Sequence, residues 1–318
     1  MLSKHNEKDE ILNIKLLKFN SKYLKEEKKI ASGGFGDVFK GKYLTMDCAI
    51  KKLKDFTTVE FLKEIKIVKK FRHPYTPRLL GILDNCPSTD ELDISIINEL
   101  IQGDALNKSI SANDIPDIKY LLFLAELATV LHYLHGFHVI HRDLKPQNIM
   151  ITNNGDLKLL DFGISKVSNA TFTQTKTTSG TLAYMAPETF DIGEITENTN
   201  MNDSISTIST KIDVWAFGCI THELFTKEKP WSSVIKSDNH LISKLYSGAD
   251  FPLAETKIKD EEVLDLIKRC VISNVHKRCK IDEARDVIYH ILYKKVKKGD
   301  LKKDIKFKSD KQSKLNDL

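Results

Sequence analysis

Residues 148–161 read NIMITNNGDLKLLD, two apolar runs around an Asn-Gly pair, and they restrict the fold of this 318-residue chain more than any other segment. Ile149-Met150-Ile151 and Leu157-Lys158-Leu159-Leu160 are strand-like, and Asn154-Gly155 is a favoured two-residue hairpin turn. Asn148 and Asp161 stand equally far from that dipeptide, so a hairpin centred on it pairs residue 148 with residue 161. Directly opposed residues have Cα atoms about 4.5–5.5 Å apart. An amide oxygen and a carboxylate that close can share one hard cation, and Mg²⁺ favours such oxygen ligands.

The remainder of the chain can build either two ordinary domains or one large bilobal unit. A hydrophobic share of 41% supplies a sizeable core and exceeds that of disordered proteins. The net charge of +5, from 49 basic and 44 acidic residues, is a mild bias and makes no case for nucleic acid. Five cysteines (Cys48, Cys86, Cys219, Cys270, Cys279) form an odd count without paired spacing and read as reduced thiols of an intracellular protein. Cys48, Cys219 and Cys270 lie in apolar runs, as buried small hydrophobes do. No run approaches the roughly 18 apolar residues of a membrane span. The first ten residues lack the apolar core of a signal peptide. The expected location is cytoplasmic, with the nucleus as the alternative.

Along the chain, residues 1–20 are a polar, Lys-rich leader with one apolar patch at 11–17. Residues 28–54 read strand, glycine turn, strand. A helix is expected over 59–71, with Phe61, Ile65 and Val68 on one face. Strands are expected over 78–83 and 94–99, joined by a polar loop. After Gly103-Asp104 the composition turns helical. Residues 118–135 form a strongly apolar helix that Gly136 is placed to end. Residues 212–225 are apolar nearly all round, as a buried central helix requires. The Asn/Ser/Thr-rich stretch 194–209 reads as a surface insertion. Amphipathic helices follow over 263–270 and 281–293. The Lys-rich end, 294–318, reads as a helix extension or disordered tail; Asp300, Asp304, Asp310 and Asp317 interrupt its charge, which favours a solvated tail over binding to a membrane or nucleic acid.

Four further strings carry chemistry. Ala31-Ser32-Gly33-Gly34-Phe35-Gly36-Asp37-Val38 lies between two strand patterns. Its glycines let backbone amides approach phosphate oxygens, although alone the string also suits an ordinary turn. Cys48-Ala49-Ile50-Lys51 occupies the next strand. Glu64 falls on or near the inward stripe of its helix and needs a cationic partner, for which Lys51 is available; a rim pair with Lys63 or Lys66 is the alternative. His141-Arg142-Asp143-Leu144-Lys145-Pro146-Gln147-Asn148 leads into the hairpin, and Asp161-Phe162-Gly163 leaves it.

Together these strings resemble the active centre of a eukaryotic protein kinase of the serine/threonine type, with a fainter likeness to the tyrosine-kinase-like group. The resemblance runs from about residue 24 to 292. It departs from the family pattern where Ala31 replaces the first glycine, Cys48 replaces a valine, and Asn98 stands at the gatekeeper position. The resemblance implies an α+β, bilobal fold: an antiparallel β-rich N-lobe over 21–102 with one key helix, and a larger, mainly helical C-lobe over 103–293. It implies transfer of the γ-phosphoryl group of ATP, with Mg²⁺ or alternatively Mn²⁺, to Ser/Thr hydroxyls of protein substrates. Asp143 then accepts the hydroxyl proton, Lys145 faces the γ-phosphate, Lys51 pairs with Glu64 and the α- and β-phosphates, and Asn148 and Asp161 hold the metal. Nucleotide contacts fall on Ala31, Gly33, Gly34, Phe35, Gly36, Val38, Ala49, Lys51, Asn98, Glu99, Ile101 and Met150. Thr181 resembles the threonine that hydrogen-bonds the catalytic Asp, Asp213 the N-terminal anchor of the buried helix, and Arg278 the partner of Glu188. His141, Phe162, Leu79 and Val68 make a hydrophobic column between the lobes. Thr177 and Thr178 are the candidate sites for activating phosphorylation, by an upstream kinase or by the protein itself, with Arg142 as the phosphate's partner. A pseudokinase, a nucleotide-binding scaffold on the same fold, is the alternative reading.

Overall fold

The computed structural model describes residues 18–33, 36–53, 65, 69, 71–84, 94–111, 116–161, 181–189 and 202–297. Strands β1 (Lys18–Phe19), β2 (Leu24–Gly33), β3 (Gly36–Tyr43), β4 (Met46–Leu53), β5 (Leu79–Asp84) and β6 (Ile94–Glu99) form one sheet in the order β1-β5-β6-β4-β3-β2. All its pairings are antiparallel except β1 with β5. Its apolar face gathers Phe19, Cys48, Ile50, Leu83 and Ile97 into a small core. Phe19 is a member, so the sheet reaches into the stretch read as a leader. Of the helix expected over 59–71, the described residue Ile65 is fully buried, as its place on the inward face requires. Phe61 and Val68 lie outside the described residues.

The second region is helical: α1 (Leu106–Ser111), α2 (Asp117–Gly136), α3 (Asn202–Thr226), α4 (Asp238–Tyr246), α5 (Glu261–Cys270) and α6 (Ile281–Lys297). A separate sheet, β7 (Gly103–Ala105), β8 (Ile149–Thr152) and β9 (Leu157–Leu159), lies beside them in the order β7-β8-β9. Two packed regions, one β-rich and one helical, make the bilobal arrangement expected from the sequence. No helix among the described residues is long and apolar enough to cross a membrane.

Helix α2 starts after Pro116, whose fixed φ suits helix entry, with Asp117 in its first turn where the helix dipole favours an anion. Gly136 does not supply the left-handed residue that ends it. His138 does, at φ 58°, and its amide bonds to His135 O (2.9 Å) while Val139 N bonds to Leu134 O (3.0 Å). That pair of bonds is a Schellman closure. Helix α3 is buried nearly all round from Lys211 onward, as its apolar composition requires. It begins at Asn202, inside the stretch expected to be an insertion.

The β8–β9 hairpin forms, but in another register. Ile149 pairs with Leu159 and Ile151 with Leu157, so Asn148 stands opposite Leu160, and Asp161 lies one residue further on. The loop has three residues. Gly155 N bonds to Thr152 O (2.8 Å), and Gly155 takes φ 81° while Asn154 stays out of the left-handed region. A two-residue type I′ turn needs positive φ at both positions; a type I turn followed by one left-handed glycine needs it once, and here that glycine is available.

Candidate active site

The site is built where β4, the segment 141–148 and the end of β9 converge. The segment 141–148 owes its shape to Asp213. That residue was expected to anchor the start of the buried helix, but it lies in the interior of α3 and is 1% exposed. Its carboxylate accepts from the backbone amides of His141 (2.8 Å) and Arg142 (2.9 Å) and from His135 Nε2 (2.8 Å). Burial pushes its pKa up, and the His135 and His141 contacts overcome that push, holding it below the usual carboxylate range. The two amide bonds fix Arg142 at φ 64°, a costly conformation for a non-glycine residue. His141 donates its ring N–H to Leu160 O (2.9 Å), tying the segment to the end of the hairpin.

Asp143 is held at both oxygens. Lys145 Nζ donates to Oδ1 (3.0 Å) and also to Thr181 Oγ1 (2.9 Å). Asn148 Nδ2 donates to Oδ2 (2.9 Å) and to the Asp143 carbonyl (2.7 Å). Such a carboxylate is fixed in orientation and can accept a proton from a hydroxyl placed against it. Thr181 thus joins the site through Lys145.

Lys51 extends from β4 to Asp161, with Nζ 2.8 Å from Oδ1. The Lys51 charge holds the Asp161 pKa below its ordinary value, with the Lys51 hydrogen bond, His141 and Lys145 adding to the effect. Asp161 sits at φ 45°, which turns the chain away from the hairpin. Glu64, the partner expected for Lys51, lies outside the described residues, as do Gly34, Phe35, Phe162, Thr177 and Thr178.

Asn148 and Asp161 fit a hard cation by their chemistry. Asp161 is held ionised, and the Asn148 amide gives its N–H groups to Asp143, which leaves its oxygen for a metal ion. No cluster of three acidic, His or Cys ligands occurs among the described residues. Two protein oxygens suit Mg²⁺ or Mn²⁺ that arrives with other oxygens, such as those of phosphates.

The residues expected around a nucleotide line the neighbouring strands. The β2–β3 ladder closes at Gly33 opposite Gly36, and Ala31 pairs with Val38. Ser32 Oγ donates to Asp37 Oδ1 (2.6 Å), and Lys29 pairs with the same carboxylate (2.8 Å), a staple that the sequence reading missed. Val38 faces Lys51 across β3–β4, and Ala49 faces Asn98 across β4–β6. Val38, Ala49, Asn98, Ile101 and Met150 are all half-buried. Glu99 accepts from Arg78 N (3.1 Å) and lies 3.7 Å from Lys158 Nζ on β9.

Below the site, Arg278 and Glu188 meet as the resemblance implied. Nη1 and Nη2 reach the two carboxylate oxygens at 2.5 and 2.9 Å, and Nη1 and Nε also donate to Lys211 O and Ile272 O. Arg278 is 2% exposed and stands 5.0 Å from the Trp215 ring centre. Tyr184 OH donates to the buried Glu223 (2.5 Å), which sequence reasoning did not find. Glu126 was also missed; it accepts from Leu157 N (2.8 Å) and braces β9 against α2.

Residues 24–290 match the family model described as the protein kinase domain. Among characterised proteins, the chain is 36% identical to serine/threonine-protein kinase cds1 of Schizosaccharomyces pombe, over 71% of its own length and 47% of that protein's. It is 31% identical to serine/threonine-protein kinase CTR1 of Arabidopsis thaliana, over 65% of its length and 24% of that protein's. It is 28% identical to dual specificity protein kinase shkB of Dictyostelium discoideum, over 84% and 40%. The chain therefore spans less than half the length of each of these relatives.

Proposed function

The chain belongs to the protein kinase family, and from that premise we propose that it transfers the γ-phosphoryl group of ATP to Ser or Thr hydroxyls of protein substrates. The two-sided restraint of Asp143 carries this reading. With Oδ1 held by Lys145 and Oδ2 by Asn148, the carboxylate is oriented to take the proton of an incoming hydroxyl. Lys145 binds Asp143 and Thr181 at once, so its charge sits where negative charge develops on the transferred group. Lys51 supplies a second cation on the nucleotide side. Gly33 and Gly36 carry no side chain to keep a phosphate from the backbone there, and Ala49, Val38 and Met150 offer apolar surface to a base. Asn148 and Asp161 would hold a divalent ion, which would supply charge neutralisation at the phosphates.

Relatives named serine/threonine-protein kinases support Ser/Thr acceptors, as does the Lys145–Thr181 bond. Phosphorylation at Thr177 or Thr178 is proposed as the activating step; replacing both by alanine is expected to lower turnover. The central test is phosphoamino-acid analysis of a degenerate peptide library incubated with the full chain and Mg-ATP. Phosphoserine and phosphothreonine are expected, and Asp143→Asn is expected to lose roughly 10²–10⁴-fold in turnover. Wild-type turnover in that variant, or phosphotyrosine alone, removes the assignment.

A further inference from the structure

We propose that Cys270 and Cys279 form a dithiol–disulfide pair whose closure is transmitted to the Arg278–Glu188 ion pair. The cysteines were expected to be reduced thiols without paired spacing, and the Sγ atoms of these two stand 3.6 Å apart. Cys270 ends α5, and the chain returns so that Cys279 N bonds to Arg269 O (3.2 Å) just before α6. Both are buried, Cys270 completely and Cys279 at 6% exposure, so the Cys279 side is the nearer one to solvent. Cys279, the more exposed of the two, is the sulfur that attacks the oxidant, and Cys270 the one that resolves it.

The surroundings give closure a direction. A Cβ built on Gly218 of α3 would stand 2.6 Å from the Cys270 Cβ, so Cys270 is pinned against α3. A disulfide needs sulfurs about 2.05 Å apart, and the approach falls mainly to Cys279. Its neighbour in the chain is Arg278, which holds both Glu188 oxygens and two backbone carbonyls. Moving Cys279 displaces the backbone that carries this guanidinium, and Glu188 belongs to the segment that follows Thr181.

The oxidant is a hydroperoxide. The Cys279 thiolate attacks one peroxide oxygen: an S–O bond forms, the O–O bond breaks, and the departing hydroxide takes the proton lost by the Cys279 thiol. The Cys270 sulfur, losing its proton, then attacks the Cys279 sulfur. The S–S bond forms and the S–O bond breaks, and hydroxide leaves with that proton as water. Two thiols and one hydrogen peroxide give one disulfide and two waters, with two electrons passing from sulfur to peroxide.

The test uses the full chain, reduced, desalted and treated with hydrogen peroxide under native conditions, then alkylated and peptide-mapped. The expected product is a cross-linked peptide containing Cys270 and Cys279, with loss of two thiols, both reversed by dithiothreitol. Peptide phosphorylation is expected to fall with the cross-link and recover with reductant, whereas Cys279→Ser, with its fold checked by thermal melting, keeps its turnover under the same peroxide. Recovery of both cysteines as free thiols, or of Cys279 as sulfinic acid with Cys270 unpaired, overturns the proposal. A cross-link that leaves turnover unchanged overturns the transmission to Arg278. The mapping needs no variant and no catalysis, so its failure is distinguishable from failure of the phosphotransfer reading. If the reduced chain phosphorylates nothing, a shift in melting temperature between the reduced and cross-linked forms reads the same transmission, and equal melting temperatures overturn it.

Discussion

Asp213 and Asp143 are both carboxylates of the site, but they act in different ways, and substitution separates them. Asp213 is buried and satisfies two backbone amides and a histidine ring; Asp143 is partly open and held by two side chains. Asp213→Ala strands two buried amides, each costing about 1–3 kcal/mol. It also releases Arg142 from a conformation it does not otherwise favour. The expected result is a loss of about 3 kcal/mol or more in urea unfolding, together with lost turnover. Asp143→Asn is expected to lose turnover with stability nearly unchanged. Equal stability of the two variants contradicts this division. His222 offers a second residue-level test. Its Nε2 accepts from Ala254 N (3.3 Å), which requires an unprotonated nitrogen, and burial lowers its pKa from 6.5 to about 4, with Lys257 adding to the drop and Glu228 opposing it. His73 is lowered to about 4 as well, by burial and then Lys158. In this window the unfolded chain binds the proton and the folded chain does not. The contribution of each ring is therefore complete above pH 6.5 and is lost as pH falls toward 4. Melting temperature followed from pH 7 to pH 4.5 is expected to drop less steeply in His222→Gln than in wild type. Parallel curves exclude the assignment.

At the scale of elements, much was legible because it is local. The strand–glycine–strand pattern, the apolar helix after residue 117 and the amphipathic helices α5 and α6 follow from periodicity and turn chemistry. The failures share one cause: competition between nearby solutions of almost equal energy. Asn154-Gly155 announces a hairpin, yet whether the loop has two or three residues rests on one backbone angle at Asn154. Slipping the centre by half a residue moves Asp161 off the opposed position. Gly136 is the last residue of α2, as expected, although the left-handed turn is supplied two residues later by His138. The long-range partners were not legible from pattern alone: nothing local in residues 141–142 points to Asp213, some seventy positions away. Glu188–Arg278 was found only through the family resemblance. The His138 result carries its own prediction. An exposed non-glycine residue at positive φ pays roughly 1–2 kcal/mol of steric cost. His138→Gly removes that strain and offsets part of the gain with unfolded-state freedom. A net stabilisation of about 0.5–1 kcal/mol is expected from urea unfolding. Destabilisation shows that the imidazole makes a contribution beyond its backbone.

Across the whole molecule, the sheet and the helical region meet through polar links at the site. Lys51 of β4 bonds to Asp161, and Glu99 at the end of β6 lies near Lys158 of β9. On the proposed reading, a nucleotide between Ala49 and Met150 would bring its phosphates to the first of these links, where Lys51 would serve both Asp161 and phosphate and Asp161 would also help to hold the divalent ion. Two protein oxygens bind such an ion weakly without phosphate. The expected pattern in thermal melting follows. Mg²⁺ alone has a small effect, ATP with chelator a modest one, and Mg-ATP at about one hundred times its Kd adds roughly 2.7 kcal/mol. Lys51→Met is expected to remove most of the Mg-ATP stabilisation, while the melting temperature without ligand changes far less, because the Lys51–Asp161 pair leaves Asp161 42% exposed and solvent weakens it. Stabilisation by Mg²⁺ alone equal to that by Mg-ATP points to a protein-only metal site. A Lys51→Met variant stabilised by Mg-ATP as strongly as wild type removes this lysine from the phosphates and leaves it a role only in joining the two lobes.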